Sequence, residues 1–130
     1  MKYSILLLAF IALPCNASQF SKAEATEEIA FQILNVIDIG QTLDIKHHPN
    51  IHEGRLFESG GSAEIIGEHP SDAQVVGWLA VEGAAHYAIS RYMIRHDAPK
   101  WLVHAWQAVT IGMKANCIQS NYHLGLKISF

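Results

Sequence analysis

An unbroken apolar run, Ile5 to Leu13, sits behind a single basic residue, Lys2, and stops at Pro14. Nine residues are too few to cross a bilayer, which takes about 20 in a helix. Cys15-Asn16-Ala17 places small residues at the −3 and −1 positions of a cleavage point after Ala17, so residues 1–17 read as a secretory signal peptide. The expected mature chain, 18–130, has room for a single domain. Cys15 also follows the apolar run as a lipid-modified cysteine would, but a proline directly before it fits such sites badly, and cleavage is preferred. Cys117 is then left alone and cannot staple its own domain. It reads as a small buried hydrophobe on a helix.

The rest of the chain divides into three helical stretches. Ser21 with Glu24 at the third helical position forms a capping box, and Ile29, Ile33, Val36, Ile37, Gly40 and Leu43 recur at helical spacing, which predicts a helix over 22–46. Asn35, Asp38 and Thr42 form a second stripe on it. The segment 47–70 holds His47-His48-Pro49-Asn50, Gly54, Gly60-Gly61-Ser62 and His69-Pro70, a composition that predicts a long loop. Ser71-Asp72-Ala73-Gln74 is a second capping box, opening a helix over 72–95. His96 to Ala98 breaks it, and Pro99 suits the first position of a third helix over 99–120, which Asn121 can end. In the tail, 122–130, Tyr122, Leu124, Leu126, Ile128 and Phe130 alternate with other residues at period two, as in a short strand. That pattern looks like the terminal strand of an outer-membrane barrel, but a barrel needs eight or more such strands. The expected fold is therefore mainly α: a three-helix bundle, or a helical hairpin plus one helix, with a short C-terminal strand or extended tail.

The helices over 72–95 and 99–120 are apolar enough to raise the question of a membrane. Gly77, Gly83, Ala84 and Ala85 suit close helix packing in lipid, while Glu82, His86, His104, Gln107 and Lys114 oppose insertion at about 2.5–3.5 kcal/mol for each ionised group at mid-bilayer. Arg91, Arg95 and Lys100 gather at the connection, where a spanning hairpin would place its cytoplasmic turn. A soluble three-helix protein with an apolar core fits these features nearly as well as a spanning hairpin; membrane association is the expectation, with the inner membrane or an envelope protein as partner. A net charge of −3 and the lack of any Lys/Arg-rich run leave no footprint for nucleic acid.

Eight histidines against nine lysines and arginines is the unusual feature of the composition. Glu82 and His86, four apart, share a helix face. With Asp38 and His104 at comparable mid-helix positions, two carboxylates and two imidazoles form a candidate Zn²⁺ or Fe²⁺ ligand set of the kind built in bundle cores. The competing reading is that these groups satisfy one another, since no HExxH, CxxC or paired ExxH motif is present. His47, His48, His52 and His69 read as solvated loop residues, with weak metal binding or acid sensing as the alternative. Ser71 reads as a cap, having no triad pattern to make it a nucleophile.

Asp38-x-Gly40-Gln41-Thr42-x-x-Ile45, Gly67-x-His69-Pro70-Ser71 with His86 in the following helix, and Gln107-x-Val109-Thr110-Ile111-Gly112 together resemble a group of small exported proteins of proteobacteria and their phages. Such proteins usually carry Glu-x-Asn-Pro ahead of the glycine, where this chain has Glu58-Ser59-Gly60-Gly61-Ser62-Ala63-Glu64. The resemblance implies export and a helical build, with no reaction attached. The expected function is that of a non-enzymatic, exported helical protein of the periplasm or inner membrane. A phage-related role comes from the resemblance, and a metal-binding protein or metal-dependent enzyme is the alternative.

Overall fold

The computed structural model describes residues 20–45, 65, 67 and 70–128, and over them the fold is three helices. They are α1 (Lys22–Asp44), α2 (Asp72–Arg95) and α3 (Lys100–His123). The signal segment, the loop histidines and most of the 47–70 segment lie outside the described residues. Both expected capping boxes form. Ser21 N–H donates to Glu24 at 2.6 Å while Glu24 N–H donates to the Ser21 hydroxyl at 3.3 Å, and Ser71 and Gln74 repeat the exchange at 2.9 and 3.4 Å. Each box satisfies helix-end donors that would otherwise have no partner.

The α2–α3 turn is a Schellman motif. Ala98 N–H reaches Met93 C=O at 2.9 Å and Asp97 N–H reaches Ile94 C=O at 3.2 Å, which puts Asp97 at a φ of 52°, the left-handed region. Pro99 is the residue before α3 rather than its first turn, and its carbonyl accepts from Leu102 and Val103. Asn121 does not end α3. The helix runs on through Tyr122 and His123, two residues expected in the tail, because a second Schellman motif closes it later. Gly125, at a φ of 87°, donates to Tyr122 C=O and Leu126 donates to Asn121 C=O. Leu126 then buries against Ile45, and Lys127 N–H donates to Asp44 at 2.9 Å, fastening the chain beyond α3 to the end of α1. No strand occurs among the described residues, and the last two positions of the expected one lie outside them.

Contacts fix the helix directions. Along α1, Glu28, Gln32 and Asn35 meet His86, Gly83 and Leu79 in turn, so α1 and α2 are antiparallel. Glu28, Asp38 and Asp44 meet Gln107, Lys114 and Lys127, so α1 and α3 run the same way. α1 packs most extensively on α3, less on α2, and α2 and α3 touch each other least. The first helix is thus the middle of the molecule, and its neighbours splay apart on its far side.

The expected apolar stripe of α1 is buried at its C-terminal end, at Gly40 and Leu43, and exposed at its N-terminal end. Ile29 and Ile33 are exposed, Ile33 by 46 %, whereas Glu24, Glu28, Gln32, Asn35 and Gln41 are buried beside Phe31 and Leu43. Residues 24, 28, 32 and 35 also follow helical spacing, and each finds a partner across the bundle or at a cap, which offsets much of the penalty for burying polar groups, although Asn35 Oδ1 is buried without a hydrogen bond. Apolar packing is confined to smaller groups, chiefly Leu43, Val75 and Leu79 with Ile39, Val76 and Trp78 around them. No described helix is long and apolar enough to cross a membrane, the α2–α3 hairpin included.

Candidate functional site

Two polar clusters occupy the interior, and both border a cleft of about 730 Å³ between α2 and α3. The upper cluster centres on Glu28, whose side chain is fully buried. Its carboxylate receives His86 Nδ1 at 3.0 Å, Gln32 Nε2 at 2.8 Å and Gln107 Nε2 at 3.1 Å. Burial pushes the Glu28 carboxyl up, but the hydrogen bonds from His86 and Gln32, the charge on His86 and the bond from Gln107 together outweigh it. The group sits below its ordinary range. The other His86 nitrogen, Nε2, lies 2.9 Å from Thr110 Oγ1. Thr110 in turn donates back into its own helix, to Trp106 C=O at 2.9 Å or Gln107 C=O at 3.1 Å. The two ring nitrogens thus link the buried carboxylate of α1 to the hydroxyl of α3, one on each side of the imidazole.

Packing holds this ring in place. Phe31 stacks on it with centroids 3.5 Å apart and planes 7° from parallel, and Trp106 lies at 5.3 Å. Ser90 completes the cluster: it donates to His86 C=O and accepts from Gln107 Nε2 at 3.0 Å and Trp106 Nε1 at 3.2 Å.

The lower cluster centres on Lys114. Its ammonium donates to Asp38 Oδ2 and Glu82 Oε2, both at 2.8 Å, and Asn121 donates to the other Asp38 oxygen at 3.2 Å. Burial pushes the Lys114 ammonium down, but the charges of Asp38 and Glu82 and their hydrogen bonds overcome it and hold the group above its ordinary value. Glu82 is the most open member, its side chain 31 % exposed.

The four expected ligand residues therefore part company. Asp38 and Glu82 share Lys114, His86 faces Glu28, and His104 faces Glu27 at 2.9 Å in a more open setting. Among the described residues no group of three or more His, Cys, Asp or Glu side chains is arranged to hold a metal ion. A cation placed at Asp38 and Glu82 would meet the Lys114 ammonium there, which is a poor setting for Zn²⁺ or Fe²⁺. Cys117, expected as a buried hydrophobe, is exposed and borders the cleft.

Glu28, His86 and Thr110 stand in the order carboxylate, imidazole, hydroxyl, which in hydrolases generates a nucleophile. Here the hydroxyl lies inside a helix and is bonded to its own backbone. Through Glu28, His86, Gln107 and Thr110 the cluster joins all three helices. Sequence reasoning missed Glu28, Gln32 and Thr110 as members of the site. The signal that finds them is the 24-28-32-35 polar periodicity of α1, matched by Glu82, His86 and Ser90 on α2 and Gln107, Thr110 and Lys114 on α3. No protein family model matches this chain, and neither a curated protein nor a solved structure matches it.

Proposed function

We propose that this chain is a small exported helical protein of the cell envelope that acts by contact, without catalysis, against the inner membrane. The observation that carries the reading is the reversed polarity of the bundle. Many of its polar side chains pair in the interior, while Ile29, Ile33, Leu102 and Val109 face outward, away from the cleft. An apolar exterior of this kind marks a surface that meets lipid or another protein. The α2–α3 turn adds a second support. Arg91, Arg95 and Lys100 are exposed there beside Tyr92 and Trp101, the pairing of cations and amphipathic aromatics that suits an anionic membrane surface. The N-terminal apolar run and the resemblance to small exported proteins support the export half of the proposal.

Cell fractionation with carbonate extraction, combined with intact mass, tests both halves. The expected result is a chain starting after Ala17 in the envelope fraction. In flotation assays, purified protein should rise with vesicles containing anionic lipid, and replacing Arg91, Arg95 and Lys100 by Gln should weaken that association. Protein retaining Met1 and dissolved in the cytosol of its host would overturn export. Failure to float with any vesicle would replace the membrane by an envelope protein as partner.

A further inference from the structure

The cleft between α2 and α3 has a composition that its structural role does not explain. At about 730 Å³ it falls within the range of small-molecule sites. Its walls include two of the three tryptophans, Trp78 and Trp106, with Met113. Its floor is the cluster of Asp38, Glu82 and Lys114, where two carboxylates share one ammonium. His86 also borders the cleft, and its ring faces the buried Glu28. Among the described residues, the floor cluster therefore carries one more negative charge than Lys114 balances.

We propose that this cleft binds an organic monocation, an ammonium carrying an aromatic or branched apolar body. The ammonium would sit against Glu82, which is the carboxylate most open to the cleft and meets Lys114 through Oε2. The body would lie against Trp78, Trp106 and Met113. Indole faces attract cations through their quadrupole, and aromatic walls with an acidic floor are the recognised means of holding ammonium ligands. An anion has no comparable place, because the ammonium of Lys114 already lies 2.8 Å from each of two carboxylates. This site goes beyond the membrane reading, since the cleft exists whether or not the outer faces meet lipid.

Calorimetric titration of purified mature protein with three probes of one shape tests it: 2-phenylethylammonium, 2-phenylethanol and 3-phenylpropionate. The cation should bind about tenfold or more tighter than the alcohol, as an added charge contact of moderate exposure provides, and the carboxylate should not bind. Glu82→Gln should erase the preference for the cation. Met113→Lys, at a side chain 65 % exposed and so free of folding consequences, should abolish cation binding by placing a like charge at the cleft. Equal binding of the three probes, no binding of the cation, or an unchanged preference in both variants would overturn the proposal. These readouts do not involve vesicles, so loss of the membrane reading would leave them standing.

Discussion

Glu28 and His86 lie 58 residues apart in the chain and meet at 3.0 Å, with side chains 0 % and 3 % exposed. The contact joins the first helix to the second, and through Gln107 and Thr110 to the third. Removing His86 leaves the buried Glu28 carboxylate with the amides of Gln32 and Gln107 alone, and breaking such a buried pair costs about 3–5 kcal/mol. His86→Ala and Glu28→Ala are each expected to lower stability by that order, with loss in the double variant smaller than the sum. Urea unfolding followed by circular dichroism measures it. Losses under about 1 kcal/mol would show that the pair does not hold the bundle.

The two shifted groups give stability opposite slopes at the two ends of the pH scale. The Glu28 carboxyl is held below its ordinary value of 4.5, so its contribution is present above 4.5 and is lost as pH falls through the lower folded value. The Lys114 ammonium is held above its ordinary value of 10.5, so its contribution is full below 10.5 and is lost as pH rises through the higher folded value. Glu28→Gln removes the acid-side contribution. The stability gap between the parent and this variant should therefore narrow as pH is lowered from about 6 toward 3, measured by denaturant midpoints across that range.

The helices were legible because their ends are written locally. Ser21 with Glu24, Ser71 with Gln74, and Pro99 each act on the backbone within a few residues, so α2 was read at its observed bounds. What α1 buries was not legible in the same way. Ile29 and Ile33 keep helical spacing, and so do Glu24, Glu28 and Gln32, and periodicity alone does not choose between the two faces. The choice is made by Gly83, His86 and Gln107, which lie 51 to 79 residues further along the chain. Asp38, Glu82, His86 and His104 were picked by their mid-helix positions alone, and such positions carry no information on the partners, Lys114, Glu28 and Glu27, that each meets across the bundle.

The choice of face in the N-terminal half of α1 yields a direct test. Gln32 donates to both Glu28 and Gly83 C=O, so Gln32→Ala strips a donor from each and should cost about 1–3 kcal/mol. Ile33→Ala removes more apolar surface but from an exposed position, and should stay within about 0.5 kcal/mol. Thermal melts of the two variants in parallel check the ranking, and an Ile33→Ala loss larger than that of Gln32→Ala would place the opposite face inside.

The two Schellman turns predict effects of opposite sign. Asp97 holds a left-handed φ of 52° that glycine adopts more cheaply, so Asp97→Gly should stabilise by about 0.5–1 kcal/mol. Gly125 holds a φ of 87°, so Gly125→Ala should destabilise by about 1 kcal/mol and loosen the Leu126–Ile45 contact. Hydrogen exchange at the Leu126 and Lys127 amides, which bond to Asn121 and Asp44, reports the second effect residue by residue.

Because the middle helix comes first in the chain and rests chiefly on the last, order of synthesis and order of assembly run against each other. The acidic and amide groups of α1 gain their deepest partners only once residues near 107 to 121 are available, and bringing such distant segments together slows collapse. A nascent chain halted before α3 would hold Glu28 without Gln107, and Asp38 without either Lys114 or Asn121. Such a fragment keeps the bonds of α1 to Leu79, Gly83 and His86 but leaves those acidic groups short of partners until α3 has been made.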